Sequence, residues 1–229
     1  MSEVTSHPDA ALVIAHATGS LEPKLALLVA AHLELCPHCR ALAASVHEAG
    51  GAILDAIQPV DLHAGALDAV MARIDADATP PMAPTSHVQA SQVLADEFGL
   101  LPAQVQRAVQ ASGRRLRFRK RGVSALDLGS VDPDGAGQLT LYRIAPGAAV
   151  PFHGHKGAEI TLVLTGAFSD ESGTYRTGDV AIGAPDVHHR PRADQGPVCF
   201  ALAYTDAPLA FTGLIGAMQR VLKPLGIGR

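Results

Sequence analysis

The sequence predicts an α+β chain of two units, a small N-terminal helical bundle followed by an all-β antiparallel barrel of jelly-roll type. Three observations predict it. All nine Phe and Tyr residues fall at Phe98 or later. Residues 1–97 are instead rich in Ala and Leu with four glycines, a helix-favouring mix, whereas the later part gathers the Gly, Thr, Val and aromatic residues that suit strands and turns. Between the two, residues 75–87 read DADATPPMAPTSH, a Pro-rich polar stretch without apolar periodicity that reads as a linker.

With 229 residues the chain is long enough for two domains. The expected division is residues 1–80 for the helical unit, 81–111 for linker and connector helix, and 112–229 for the β unit with a terminal helix. Within the first unit, helices are expected over about residues 8–17, 22–35, 37–49 and 61–74. Pro37 suits the first turn of a new helix, which puts Cys36 at a junction between two helices. A helical connector follows over about 90–111, and short strands with Gly turns run from about 115 to 205. Residues 209–222 place Phe211, Leu214, Ile215 and Met218 on one side of a final amphipathic helix.

Charge divides as composition does. Residues 1–80 hold Lys24, Arg40 and Arg73 against ten acidic side chains, so this unit is near -7 while the remainder is near +3. An acidic unit favours a basic partner. No 18-residue apolar run is present, and MSEVTSHPDA lacks the basic and apolar regions of an export signal, so a cytoplasmic location without membrane partners is expected. Three cysteines, two of them as Cys36-x-x-Cys39, suit metal or redox chemistry in a reducing compartment better than a disulfide framework.

In LALLVAAHLELCPHCRALAASVHEA, His32, Cys36 and Cys39 are spaced i, i+4, i+7, which brings them to one side of a helix or of a helix with a tight break. They supply three of the four ligands a tetrahedral zinc wants. The fourth is expected upstream, at His7, with His16 in reserve. A metal staple suits a bundle whose core is small and free of aromatics. The rival for C-P-H-C is a disulfide-exchange active site, but that chemistry calls for a buried strand before the first Cys, and here an Ala/Leu-rich helical pattern precedes it. An inert pair of core cysteines is the plainer alternative. His38 should point outward from the C-x-x-C loop, and His47, His63 and His87 should face solvent.

The run PFHGHKGAEITLVLTG carries a second constellation. His153 and His155 are i and i+2, so a strand projects both from one face, and Glu159 opens an apolar strand that can return alongside. A fourth ligand is at hand in GAPDVHHRP, where only one of His188 and His189 can face inward. Three His and one Glu suit zinc, iron, manganese or nickel. With Gly147 and Gly166 the pattern is G-x5-H-x-H-x3-E-x6-G, which closely resembles the first signature of the cupin family.

H-x3-C-x2-C in a small helical unit resembles the zinc-binding anti-sigma domains, and such a domain joined to a cupin resembles the ChrR-type anti-sigma factors. The resemblance spans nearly the whole chain through His7, His32, Cys36 and Cys39 in the first unit and His153, His155, Glu159 and one of the paired histidines in the second. It favours His189 over His188, because Arg190-Pro191 follows where related cupins show H-x-P, and it favours zinc in both sites. It implies that the N-terminal unit sequesters an extracytoplasmic-function sigma factor and that the cupin-like unit serves the response to stress such as singlet oxygen. It thus implies a regulator that is not an enzyme and does not bind nucleic acid directly.

Other features carry plainer readings beside sharper ones. Cys199, in PVCFALAY, is expected as a small buried hydrophobe, with an oxidisable sensor thiol as the minor alternative. RRLRFRKR, residues 114–121, reads as a solvated edge strand protected by its charge, with nucleic-acid contact or a bridge to the acidic unit as alternatives. A metal-dependent cupin dioxygenase or isomerase with a helical docking module is the competing function, and a small-molecule sensor without a sigma partner is a third. An enzyme should have an open metal position facing a reachable pocket, and the barrel shows no clear extra acid or base.

Overall fold

The computed structural model describes residues 3–76, 92–113, 116–120, 122–129, 137–155, 157–184, 188–206 and 209–211, with only the backbone described for 92–95, 118–120, 155 and 209–211. Among the described residues six helices come first: α1 (Ala10–Ala17), α2 (Pro23–Leu35), α3 (Pro37–Asp55), α4 (Ala66–Ala76), α5 (Gln92–Gly99) and α6 (Ala103–Ser112). Their starts follow side-chain chemistry. Asp9 accepts from the Ala11 N–H at 2.8 Å, and Glu22 accepts from Leu25 while Pro23 occupies the first turn of α2. Cys36 is extended (φ -114°, ψ 105°) between α2 and α3, and Pro37 restarts the helix after a bend of 115°.

Four boundaries differ from expectation. α4 begins at Ala66 rather than at about 61, since residues 61–65 form coil and a turn that ends on Gly65 at φ +82°. α3 runs to Asp55 because Gly50 and Gly51 weaken a helix without forbidding it. The connector is two helices, since Pro102 lacks an N–H and biases Leu101 away from helix. The Glu34 carboxylate at the end of α2 then caps α6, accepting from Ala103 at 2.8 Å and Gln104 at 3.1 Å. Finally, residues 209–211, expected to open a terminal helix, form a strand; 212–222 lie outside the described residues.

Twelve strands follow among the described residues: β1 (Arg117–Lys120), β2 (Val123–Gly129), β3 (Gln138–Ile144), β4 (His153–His155), β5 (Glu159–Thr165), β6 (Ala167–Asp170), β7 (Gly173–Arg176), β8 (Val180–Gly183), β9 (His188–His189), β10 (Arg192–Ala193), β11 (Cys199–Thr205) and β12 (Leu209–Phe211). They make three antiparallel sheets, ordered β1-β2-β3-β11-β5-β8, β10-β6-β7 and β12-β4-β9. The basic run supplies edge strand β1, as its charge suggested; Arg114, Arg115 and Arg121 lie outside the described residues. Gly166 turns the chain from β5 into β6 at φ +68°, where a Cβ would sit 2.8 Å from the Val198 carbonyl oxygen, so this position admits no side chain.

Strand β11 is buried along its whole length, and its alternation divides the core. Phe200, Leu202 and Tyr204 face a cluster with Leu28 and Ala31 of α2 and Val105 of α6, whereas Cys199 and Ala201 face the other side with Val163 and Phe168. The helical part therefore lies on the large sheet through α2 and α6. Its own core is small, with Val13, Cys36, Cys39 and Ala43 buried together, and α4 buries no residue.

Candidate metal centres

The break between α2 and α3 brings His32, Cys36 and Cys39 together, and the segment before α1 adds His7. One ligand atom from each lies within 4.8 Å of all the others. His7 Nδ1 is 3.4 Å from Cys36 Sγ and 3.5 Å from Cys39 Sγ. A tetrahedral ion with zinc-like bonds sets N and S ligands about 3.6 Å apart. His32 is fully buried, its Nδ1 lies 2.9 Å from the Gly178 carbonyl oxygen, and its Nε2 has no hydrogen-bond partner. A donor on Nδ1 leaves that Nε2 as a bare lone pair, which costs about 1–3 kcal/mol in a dry interior unless something binds it. An orphaned imidazole nitrogen beside two thiols fits a metal ion.

Electrostatics agree with the donor set. Burial holds the His32 imidazole down to about 4, so it is neutral and ready to ligate at pH 7. Burial together with the neighbouring Cys36 pushes the Cys39 thiol up to about 11 in the metal-free chain, so an ion must displace its proton.

The second cluster lies where β4, β5 and β9 meet. His153 pairs with His189 across β4 and β9, and Glu159 opens β5. One ligand atom from each falls within 4.8 Å of the others. His153 Nε2 is 3.2 Å from His189 Nε2, which in turn is 3.4 Å from Glu159 Oε2. The far nitrogens are engaged: His153 Nδ1 donates to the Pro151 carbonyl at 2.8 Å, and His189 Nδ1 donates to Asp170 Oδ2 at 2.9 Å. Both rings thereby aim Nε2 at the same point, the carboxylate-histidine arrangement of metal sites. Burial works against charge on His189, but hydrogen bonds to Glu159 and Asp170 outweigh it and raise its pKa. This donor set also fits a divalent ion.

The paired histidines are resolved by their faces. His188 is exposed and stacks on Phe152, ring centroids 5.8 Å apart, while His189 turns inward. His155 lies on β4 opposite Leu209, and its side chain is outside the described residues. The reserve ligand His16 does not join the helical cluster. Instead, burial and nearby His47 lower its pKa. His38 is exposed beside His7, His47 and His63 are exposed, and His87 lies outside the described residues. Cys199 has no exposure, and burial pushes its thiol up to about 12.

Two acidic residues had no signal in the sequence. Asp170 orients His189 from the β6–β7 hairpin. Asp179, 2% exposed, accepts from the Thr5 N–H at 2.7 Å and the Ser6 N–H at 2.9 Å, and Val180 N–H donates to the Ser6 carbonyl at 2.9 Å. Neither lies in a recognisable ligand spacing; Asp170 acts from the end of β6 and Asp179 from the turn between β7 and β8.

A different surface lies at the end of α3 and along α4. Ile53, Leu54, Ile57, Val60, Leu62, Leu67, Val70, Met71 and Ile74 are 49% to 86% exposed. Glu48, Asp55, Asp61, Asp68 and Asp75 are interspersed among them, against Arg73 alone.

Comparison with known proteins places these features. Residues 108–207 match the ChrR Cupin-like domain family. Over 213 residues the chain is 36% identical to Anti-sigma-E factor ChrR of Cereibacter sphaeroides, covering 93% of this chain and 94% of that protein. The crystal structure of Rhodobacter sphaeroides SigE in complex with the anti-sigma ChrR matches at 35% identity and TM-score 0.67, covering 88% of this chain and 99% of the matched one. An RmlC-like cupin protein of Ralstonia eutropha JMP134 aligns with 47% of this chain and 76% of its own at 18% identity and TM-score 0.37.

Proposed function

The chain belongs to the ChrR family of anti-sigma factors, and we propose that it sequesters an extracytoplasmic-function sigma factor and so controls transcription. The role is regulatory rather than catalytic. The observation that carries the reading is the unpartnered apolar surface of α3 and α4, whose side chains lie in water at a cost that a partner would remove. Its acidic surroundings suit the basic polymerase- and DNA-binding faces of a sigma factor and would steer association.

In this reading His7, His32, Cys36 and Cys39 hold one zinc ion, and His153, Glu159 and His189, with His155 as fourth ligand, hold another. Zinc, when bound, supplies a tetrahedral crosslink in the first site and a Lewis-acidic centre in the second. The residues of the first site belong to α2, α3 and the N-terminal segment, so joining them keeps the helices in the arrangement that presents α4. Oxidative stress of the singlet-oxygen type acts on the cupin-like domain and weakens the helical domain's hold, in the cytoplasm. No single described helix is long and apolar enough to cross a membrane.

The test mixes the purified full chain with candidate sigma factors from the same cell in low salt. A stable complex that weakens with salt and is lost in Cys36→Ala and Cys39→Ala is expected. If no candidate binds the zinc-loaded chain, or if both variants bind as the parent does, the proposal is wrong.

A further inference from the structure

The two metal clusters are not independent in the fold, and the element between them belongs to neither. Hairpin β6–β7 places Asp170 opposite Gly173 at one end and Ala167 opposite Arg176 at the other. Three residue steps along β7 span about 10 Å. At the first end Asp170, its side chain 4% exposed, holds His189. At the second, the chain turns through Thr177, Gly178 and Asp179 into β8. There the Gly178 carbonyl meets His32, and Asp179 with Val180 grips Thr5 and Ser6, the residues directly before His7.

This turn is rigid. Asp179 Oδ2 accepts from the Arg176 N–H at 2.8 Å, Asp179 N–H donates to the Arg176 carbonyl at 2.8 Å, and Gly178 and Asp179 both bond Val163 of β5. Gly178 has φ +94°, and a Cβ there would stand 2.5 Å from Val4 Cγ2, so the N-terminal segment lies directly on the turn. Strand β8 then leads to Gly183, paired with Glu159 of the second cluster. Both strands that meet at the turn therefore end beside groups of the barrel cluster.

We propose that the β6–β7 hairpin and the following turn are an outer shell shared by both metal centres. Asp170 positions His189, whereas Gly178 and Asp179 position His32 and the His7 segment. The barrel thereby supplies hydrogen-bond partners to the helical site, and displacement of the hairpin by a change at His189 loosens His32, 146 residues away in sequence from Gly178, and the His7 segment. Outer-shell partners of this kind are worth about 10- to 100-fold in metal affinity. The inference rests on reading the clusters as metal centres, and it needs no sigma partner.

Cobalt substitution of the full chain tests it, because only the helical site contains thiolates and so only that site gives cobalt–thiolate absorption bands. The readout is the rate at which a chelator removes those bands. Asp179→Ala should speed their loss by about tenfold or more, with Asp179→Asn, which keeps one acceptor oxygen, between it and the parent. Asp170→Asn touches no residue of the helical site, and it should both weaken the barrel metal and speed loss of the thiolate bands. Parent-like band loss in Asp170→Asn overturns the shared shell even if Asp179→Ala proves unfolded, and parent-like loss in Asp179→Ala overturns the positioning role. Either result leaves sigma binding by the parent chain untouched, and failure of the parent to bind any sigma factor leaves this measurement untouched.

Discussion

His153 and His189 face each other across β4 and β9 with their Nε2 atoms 3.2 Å apart, each ring held from behind by an acceptor. Two lone pairs brought this close repel unless an ion or a proton lies between them. Replacing His189 with Ala should therefore remove the barrel metal, while the helical site still binds its ion but yields it faster to a chelator. Elemental analysis should fall from two equivalents per chain to one.

Chelation acts differently on the helical site. The cluster of Val13, Cys36, Cys39 and Ala43 that joins α1 to α3 is too small to hold α3 without help. Structural zinc sites contribute apparent binding free energies of roughly 10 kcal/mol or more. Stripping the metal, or Cys39→Ser, should lower the thermal midpoint by more than about 10 °C for a domain of this size, measured by calorimetry on the full chain.

The metal-free chain should become less stable as acidity increases. Burial lowers the folded-state pKa of His32 to about 4, below its ordinary 6.5, so the unfolded chain takes up a proton first. Its contribution is present above about 6.5 and is lost as pH falls from there to about 4. Asp179 follows at lower pH: burial alone would raise its pKa, but hydrogen bonds from Arg176, Ser6 and Thr5 lower it, so its contribution is lost below the usual carboxylate range. Urea midpoints at pH 7, 5 and 4 should fall in the parent and flatten over the upper part of the range in His32→Gln.

The apolar surface of α4 should matter to the partner and not to the fold. Val70→Asp and Met71→Asp lie on half-exposed positions and should change stability by no more than about 0.5 kcal/mol. Sigma-factor affinity should drop by about 2 kcal/mol or more, roughly 30-fold, in titration calorimetry.

Cys199 should be inert. A thiol with no exposure and a pKa pushed up to about 12 offers almost no thiolate at pH 7. A thiol reagent should modify it only after denaturation, and Cys199→Ser should respond to oxidant as the parent does.

Much of the helical cluster was legible because its spacing is local. His32, Cys36 and Cys39 follow helical geometry with a break that Pro37 announces, and the inward His7 follows from the need for one upstream donor. The terminal segment was less legible. Phe211 fits a helical stripe, yet β4 offers an open edge, and pairing with it makes residues 209–211 a strand. In the connector the opposite holds: the surrounding pattern is helical throughout, yet the local breaker Pro102 splits it into α5 and α6.

The amino-acid order by itself determined the donor types, their spacing on helix and strand, the acidic first unit and the two-part architecture, because each depends on neighbours within a few residues. Only the tertiary structure decided that His189 rather than His188 turns inward, that α2 lies on the large sheet, and that Asp170 and Asp179 stand behind the ligands. Those outcomes depend on strand register and on hydrogen bonds between segments as far as 174 residues apart, which no local periodicity encodes.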